Sequence, residues 1–340
     1  MRFLIRALVS LSLLAAVGFL LDGGEIVGRL RAMHPGWVTA ALALSVLQVV
    51  ASAWRWRYTV GRLGGNLSLS RAVPEYYLAA FLNQLLPGGV LGDVARAWRH
   101  ARDAASEGDR DHGGRAVSAV ILERVSGQVV MAGVAGVSVL LLLRASGTGA
   151  SVWVGLAVVA TSLLAAGPLW RRLRAVPLLA RVADDLRRGL VDGGALAVQL
   201  CTSLFVVGSY LAIYLLSAAA IGVDTPWHVL APLVAPVLLT MLLPVSVAGW
   251  GVREAAAALL WGAVGLAPAE GVAISVAYGV LVLLASLPGG AVLALTLRTR
   301  RGRSRRGDPS PDGSDVPAGA SPHPASRWEG AEFPAGRSPG

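Results

Sequence analysis

The sequence predicts an all-α polytopic membrane protein with six full transmembrane helices and two re-entrant, broken-helix hairpins arranged as an inverted repeat. Three observations carry that prediction. Apolar residues make up 55% of the chain and charged residues 15%, whereas soluble domains hold roughly 45–50% and about 25%. Six apolar runs, at 3–21, 37–54, 117–143, 152–170, 195–221 and 271–297, are each near or above the roughly 20 residues that a helix needs to cross a bilayer. Finally, the pattern Leu-Leu-Pro-x4-Gly-x3-Arg occurs twice, from Leu85 to Arg96 and from Leu242 to Arg253. Helix breakers followed by an arginine are tolerated at membrane depth where the broken backbone lines a protein cavity.

The first run follows Arg2 and Arg6, as the core of a signal peptide would. No small-x-small cleavage site follows at Phe19-Leu20-Leu21-Asp22, so it reads as an uncleaved span. The span at 37–54 comes next. Hairpin 74–101 holds only the short apolar run 76–86, and hairpin 229–266 the runs 229–243 and 255–266, all too short to cross comfortably. Each hairpin is followed by a full span, 117–143 and 271–297. The order is span, span, hairpin, span, twice over, which gives a first membrane repeat at 1–150 and a second at 151–297. Corresponding points keep a similar offset: 157 residues between Pro87 and Pro244, 158 between Trp37 and Ala195, 154 between Val117 and Gly271. Three full spans per repeat is an odd number, so the second repeat must be inverted, as in many secondary transporters. The segment 298–340 is rich in Arg, Pro, Gly, Ser and Asp without periodicity and reads as a disordered cytoplasmic tail. Its arginines at 298–306 suit anionic headgroups.

A net charge of +10 would indicate nucleic acid in a soluble chain, but topology accounts for it here. All 30 basic residues are arginine. With both hairpins re-entrant, 23 of them fall on the cytoplasmic side and three, Arg29, Arg31 and Arg144, fall outside, as the positive-inside rule requires. A full span at 76–94 would instead place the arginine-rich 96–115 loop outside. The expected location is the plasma membrane, multi-pass, with both termini cytoplasmic and no nucleic-acid partner. Cys201 is the single cysteine; it cannot form an intrachain disulfide and reads as packing.

The candidate site residues follow from breakers and intramembrane charge. Pro87, Gly88, Gly89 and Gly92 interrupt helical hydrogen bonding and free backbone groups to face a ligand or water. Asp93 and Arg96 share a face if a helix starts there, and Asp93 suits its N-terminus; the alternative is a surface ion pair in a cytoplasmic turn. Glu123 and Arg124 lie about six residues into the span that begins at Val117. Adjacent helical residues point about 100° apart, so each needs another partner: Arg96 for Glu123, Asp93 for Arg124. Snorkelling at the interface is the alternative. In the second hairpin Pro244, Gly249, Trp250, Arg253 and Glu254 mirror the first motif. An arginine fork suits a lipid phosphate. Trp250, Trp37, Trp54 and Trp56 read as interfacial belt residues.

These residues carry a resemblance. Ala53-Trp54-Arg55-Trp56, then Phe81-Leu82-Asn83-Gln84-Leu85-Leu86-Pro87-Gly88-Gly89 with Gly92-Asp93 and Arg96, then Glu123-Arg124, and Leu243-Pro244-Val245-Ser246 with Gly249-Trp250-Gly251-Val252-Arg253-Glu254 resemble the lysylphosphatidylglycerol synthase transmembrane, or flippase-like domain, family over about residues 1–297. One departure is Val90-Leu91-Gly92, where a second glycine often precedes Gly92. The resemblance implies a membrane domain that moves aminoacylated phospholipid between leaflets, here without the soluble synthase domain, and it adds Asn83 to the candidate substrate-binding residues.

The expected function is therefore a lipid translocase acting on a phospholipid or lipid-linked headgroup. The alternative is a membrane-embedded transferase, or an accessory subunit of a lipid or cell-envelope glycan synthesis enzyme, using the Asp93, Glu123 and Glu254 carboxylates. The five histidines are scattered without metal-ligand spacing and no nucleophile-histidine-acid cluster is present, which favours transport over enzymic chemistry. No cofactor is expected. The expected partners are the lipid substrate, the membrane and an envelope-lipid synthase.

Overall fold

A computed structural model describes residues 12, 23–86, 90–106, 110–145, 194–242 and 246–306. The expected spans 3–21 and 152–170, the tail beyond 306, and Pro87, Gly88, Gly89 and Pro244 lie outside the described residues.

Every described element is helical. The order is α1 (Gly23–Arg31), α2 (Pro35–Arg62), α3 (Leu69–Leu85), α4 (Leu91–Ser106), α5 (Arg110–Ala145), α6 (Ala195–Ala220), α7 (Trp227–Leu239), a 3₁₀ turn (Thr240–Leu242), α8 (Val252–Ala263) and α9 (Pro268–Arg306). Four helices are long and apolar enough to cross a membrane: Pro35–Arg62, Gly114–Arg144, Ala195–Ala220 and Pro268–Thr299. They coincide with four of the six spans expected from sequence.

The helix ends follow local chemistry. Pro35 opens α2 in the first turn, where its missing N–H costs nothing, and His34 Nδ1 accepts from the Gly36 N–H at 3.2 Å. The His34 N–H donates to the Ala220 carbonyl at 2.8 Å, which ties the start of α2 to the end of α6. Two breaks interrupt the sequence of long helices. Leu86 leaves α3 in an extended conformation (φ −95°, ψ 145°) and α4 restarts at Leu91. The other lies between α7 and α8. There Ala248, Gly249 and Gly251 all have positive φ, and an added Cβ at Gly249 would lie 2.8 Å from Met241 Cγ. Pro232 and Pro236 sit inside α7 and Pro288 inside α9.

Two apolar cores lie under the two breaks. Trp56, Val60, Leu67, Ala72, Ala97 and Leu122 form one between α2, α3, α4 and α5. Ile213, Tyr214, Leu233, Val237, Trp261, Ile274 and Tyr278 belong to the other, between α6, α7, α8 and α9. Helix α4 is turned against the usual pattern for water: Asp93 and Arg96 are buried, while Leu91, Val94 and Trp98 are exposed. Charges inward and apolar residues outward is the pattern of a helix bordered by lipid.

Two expectations need correction. Helix α2 runs eight residues past the expected end of its span, to Arg62, and so carries Arg55 and Trp56 into the helical bundle. Helix α9 continues to Arg306, through the arginines that sequence composition assigns to an unstructured tail. Proline enters that region only at Pro309, so nothing local stops the helix earlier. By compactness the chain divides after Ala294; the second unit begins with the last turns of α9.

Candidate functional site

Five helices bring charged and polar side chains to one place, with the charges on α2, α4 and α5. Glu123 on α5 is fully buried and is the hub. Its Oε1 accepts from Arg55 Nη2 on α2 at 3.0 Å and from the Tyr76 hydroxyl on α3 at 2.8 Å, and its Oε2 accepts from Arg96 Nη2 on α4 at 2.8 Å. Asp93, in the first turn of α4, is the second acid. It accepts from Arg96 Nη2 at 3.2 Å and Asn83 Nδ2 at 2.7 Å, and pairs with Arg124 Nη2 at 2.5 Å. Helix α6 closes the cluster: Arg55 Nη1 donates to Ser203 Oγ at 2.8 Å, and Gln199 Nε2 donates to Thr59 Oγ1 at 2.8 Å.

The two pairings reasoned from helix geometry, Arg96 with Glu123 and Arg124 with Asp93, are both present. The surface-turn alternative does not hold, because Asp93 and Arg96 are buried; Glu123 is buried as well, whereas Arg124 keeps part of its side chain exposed. The start of α4 differs in one detail. Asn83 Oδ1, and not the Asp93 carboxylate, takes the free Gly92 N–H, at 2.8 Å. Gly92 is required by close approach, since a Cβ there would land on the Ala79 carbonyl and 2.8 Å from Asn83 Oδ1.

Arg96 is held by rings as well as acids. Its guanidinium carbon lies 4.5 Å from the Trp56 ring centroid and 4.4 Å from that of Tyr76, within cation–π range on both sides. Trp56 is therefore a buried packing partner of Arg96 and not a belt residue. The belt reading remains consistent with Trp37 and Trp54, which are exposed.

Charge does not balance here. Three guanidiniums, Arg55, Arg96 and Arg124, face two carboxylates, Asp93 and Glu123. Four of their N–H positions, Arg55 Nε, Arg96 Nε and Nη1, and Arg124 Nε, are buried without a hydrogen-bond acceptor. The Arg124 side chain remains 36% exposed. A buried cation surplus with idle donors is costly unless an anion completes it.

The second motif is balanced and closed. Arg253 and Glu254 are both buried. Arg253 Nε and Nη2 donate to Glu254 Oε1 at 3.1 and 2.7 Å, and also to Ser275 Oγ at 2.8 Å and the Ser275 carbonyl at 3.0 Å. Glu254 Oε2 accepts from the Gly251 N–H at 2.6 Å, capping α8. Arg253 also lies 5.2 Å from both the Trp250 and Tyr278 centroids, and a Cβ at Gly279 would be 2.6 Å from the Trp250 ring. Trp250 thus packs on Arg253. Each break accordingly carries an arginine between two aromatic rings and beside a glutamate.

Arg55, Tyr76, Gln199 and Ser203 are the site residues that motif reasoning omits. Their signal is a polar stripe on an apolar helix. Ser45, Gln48, Ser52, Arg55 and Thr59 recur at helical spacing on α2 and are all buried, as are Gln199 and Ser203 on α6. A positive-inside count assigns Arg55 to the loop after the span, which hides the stripe.

Fold and site together define a helical integral membrane protein built around an arginine-rich charge cluster at a helix break. The chain belongs to the family described as the lysylphosphatidylglycerol synthase TM region, whose model matches residues 3–290. That makes it a membrane protein related to lipid chemistry. No curated protein matches the chain.

Proposed function

We propose that this protein moves the phosphate-bearing headgroup of a phospholipid or lipid-linked molecule between leaflets, by binding and without covalent chemistry. The observation that carries the reading is the cation surplus of Arg55, Arg96 and Arg124 over Asp93 and Glu123, with Arg124 partly exposed and donors left idle. One phosphate monoanion would balance the charge and occupy the donors. The carboxylates support binding over acid-base work, since Asp93, Glu123 and Glu254 are each engaged by a guanidinium. Arg253 has no idle donor, so the headgroup role falls to the first break and the Arg253–Glu254 pair is structural.

The arrangement in the membrane belongs to the same proposal: six spans, two re-entrant hairpins, inverted repeats, both termini cytoplasmic, in the plasma membrane. Two features support it. Helices α7 and α8, of 13 and 12 residues, reach about 20 and 18 Å at 1.5 Å per residue, short of a roughly 30 Å hydrocarbon core. The two breaks also share the arginine, glutamate and aromatic-pair arrangement. In a Cys201→Ala background, cysteines at Gly147, Thr225 and Pro268 are expected to react with an impermeant maleimide from outside, and those at Gly61, Gly108 and Gly189 only after permeabilisation. Outside labelling at Gly108 would make the first hairpin a full span.

The activity is tested by reconstituting the purified chain into liposomes with short-chain fluorescent lipids that differ in headgroup and following dithionite protection with time. A phosphodiester lipid is expected to equilibrate faster than in protein-free liposomes, and a phosphate-free diacylglycerol probe no faster. Equal rates for both probes would remove the phosphate-binding reading.

A further inference from the structure

The central cluster restricts the charge that a headgroup can carry. Each of its two acids is already shared by two guanidiniums: Glu123 by Arg55 and Arg96, Asp93 by Arg96 and Arg124. A phosphate meets net positive charge there, but an ammonium on the same headgroup needs a third acid. The helices of the site supply none. Helices α2 and α6 hold no acidic residue at all, and α5 holds none beyond Glu123. Helices α3 and α4 add only Glu75 and Asp103, which are paired with Arg99 and Arg71. What α2 offers instead is neutral. Ser45, Gln48 and Ser52 continue the buried face of Arg55, and Gln48, 7% exposed, has its Nε2 buried with no acceptor. Gln48 lies seven residues from Arg55, two turns or about 10 Å along the axis, with Ser52 midway. A lipid phosphodiester has two arms. The arm that ends in acyl chains leaves where the cluster is open, at Arg124, whose side chain is 36% exposed. The other arm then faces the closed end, where the Arg55 side chain is 4% exposed. A hydroxyl on that arm can accept from the idle amide, whereas an ammonium only donates and meets a donor and no charge.

We propose that the cargo is an anionic phospholipid whose headgroup ends in hydroxyls, a glycerol or sugar alcohol, and that the site rejects headgroups carrying an ammonium, aminoacylated phospholipid among them. Gln48 is the specificity residue that reads the hydroxyl arm. The inference rests on the translocase reading and narrows it. Rejection follows from charge: one phosphate balances a surplus of one guanidinium, and each added ammonium restores an unpaired cation in a buried place.

The liposome assay tests this with four probes that share one fluorescent acyl chain: phosphatidylglycerol, lysylphosphatidylglycerol, phosphatidylethanolamine and phosphatidylmethanol, the last an anionic diester without hydroxyls. Phosphatidylglycerol should move about tenfold faster or more than the two ammonium lipids. Gln48→Leu should slow phosphatidylglycerol severalfold and leave phosphatidylmethanol unchanged, which also shows that the variant is folded. Gln48→Glu, which gives the stripe an acid, should raise the rate of lysylphosphatidylglycerol relative to phosphatidylglycerol by about tenfold. Lysylphosphatidylglycerol moving as fast as phosphatidylglycerol in the wild type would overturn the inference and leave the phosphate reading intact. An unchanged phosphatidylglycerol rate in Gln48→Leu, or equal slowing of both anionic diesters, would overturn the role of Gln48. If no probe moved faster than in protein-free liposomes, the translocase reading would fall, and this inference with it.

Discussion

Glu123→Gln is expected to remove most of the folded protein from the membrane. Glu123 is fully buried, and Arg55, Arg96 and the Tyr76 hydroxyl all converge on its two oxygens. The amide keeps the shape but supplies no charge, and it turns one acceptor into a donor that faces guanidinium N–H groups. Removing one partner of a buried ion pair costs about 3–5 kcal/mol, a large part of the roughly 5–15 kcal/mol that holds a typical domain together. Here two cations lose their partner at once. Membrane abundance and the thermal midpoint in detergent should both fall sharply, with Glu123→Asp retaining part of each. Wild-type abundance for Glu123→Gln would mean that the arginines find other acceptors and that Glu123 is not the hub.

Arg124→Gln is expected to do the opposite: normal abundance, and translocation reduced by more than tenfold. Arg124 is the least buried arginine of the cluster, and its one acidic partner, Asp93, keeps Asn83 and Arg96 when Arg124 is gone. The variant also removes the surplus positive charge, leaving two guanidiniums for two carboxylates. Arg124→Lys should fall between, since lysine restores charge without the planar fork. Initial rates of lipid equilibration, normalised to protein in the liposomes, make the comparison. Full activity in Arg124→Gln would place the headgroup elsewhere in the molecule.

Much of this site is legible in the sequence because hydrocarbon makes charge conspicuous. Glu123 and Arg124, adjacent in an apolar run, cannot satisfy one another on a helix. Each must therefore recruit a partner from another element, and the breaker motif offers only Asp93 and Arg96 nearby. The helix bounds are equally legible where apolar runs end in breakers: 195–221 becomes Ala195–Ala220, and 229–266 matches the α7 and α8 pair to within two or three residues at each end. Arg55 and Trp56 are harder. They follow the apolar run 37–54, and a charge count places them in a loop, whereas the helix persists because nothing between Ala51 and Arg62 breaks it. The polar spacing from Ser45 to Thr59 is the better guide, since it reports a buried face regardless of where hydropathy ends. The closed state of the second motif is not legible at all. Arg96 and Arg253 occupy the same position in the repeated pattern, but only the fold brings Ser275 and Gly279 of α9 against Arg253.

If a surplus of buried positive charge receives the headgroup phosphate, a carboxylate added beside it should take the phosphate's place. Ser203 is fully buried and already accepts from Arg55 Nη1 at 2.8 Å, so Ser203→Asp places a third acid against the three guanidiniums. Lipid equilibration in liposomes is measured for wild type, Ser203→Asp and Ser203→Ala, with membrane abundance alongside. Ser203→Asp is expected to stay as abundant as wild type but to lose translocation, because its own carboxylate neutralises the charge that the phosphate would meet. Ser203→Ala, which loses a hydrogen bond and keeps the surplus, should remain active. Wild-type translocation by Ser203→Asp would contradict the claim.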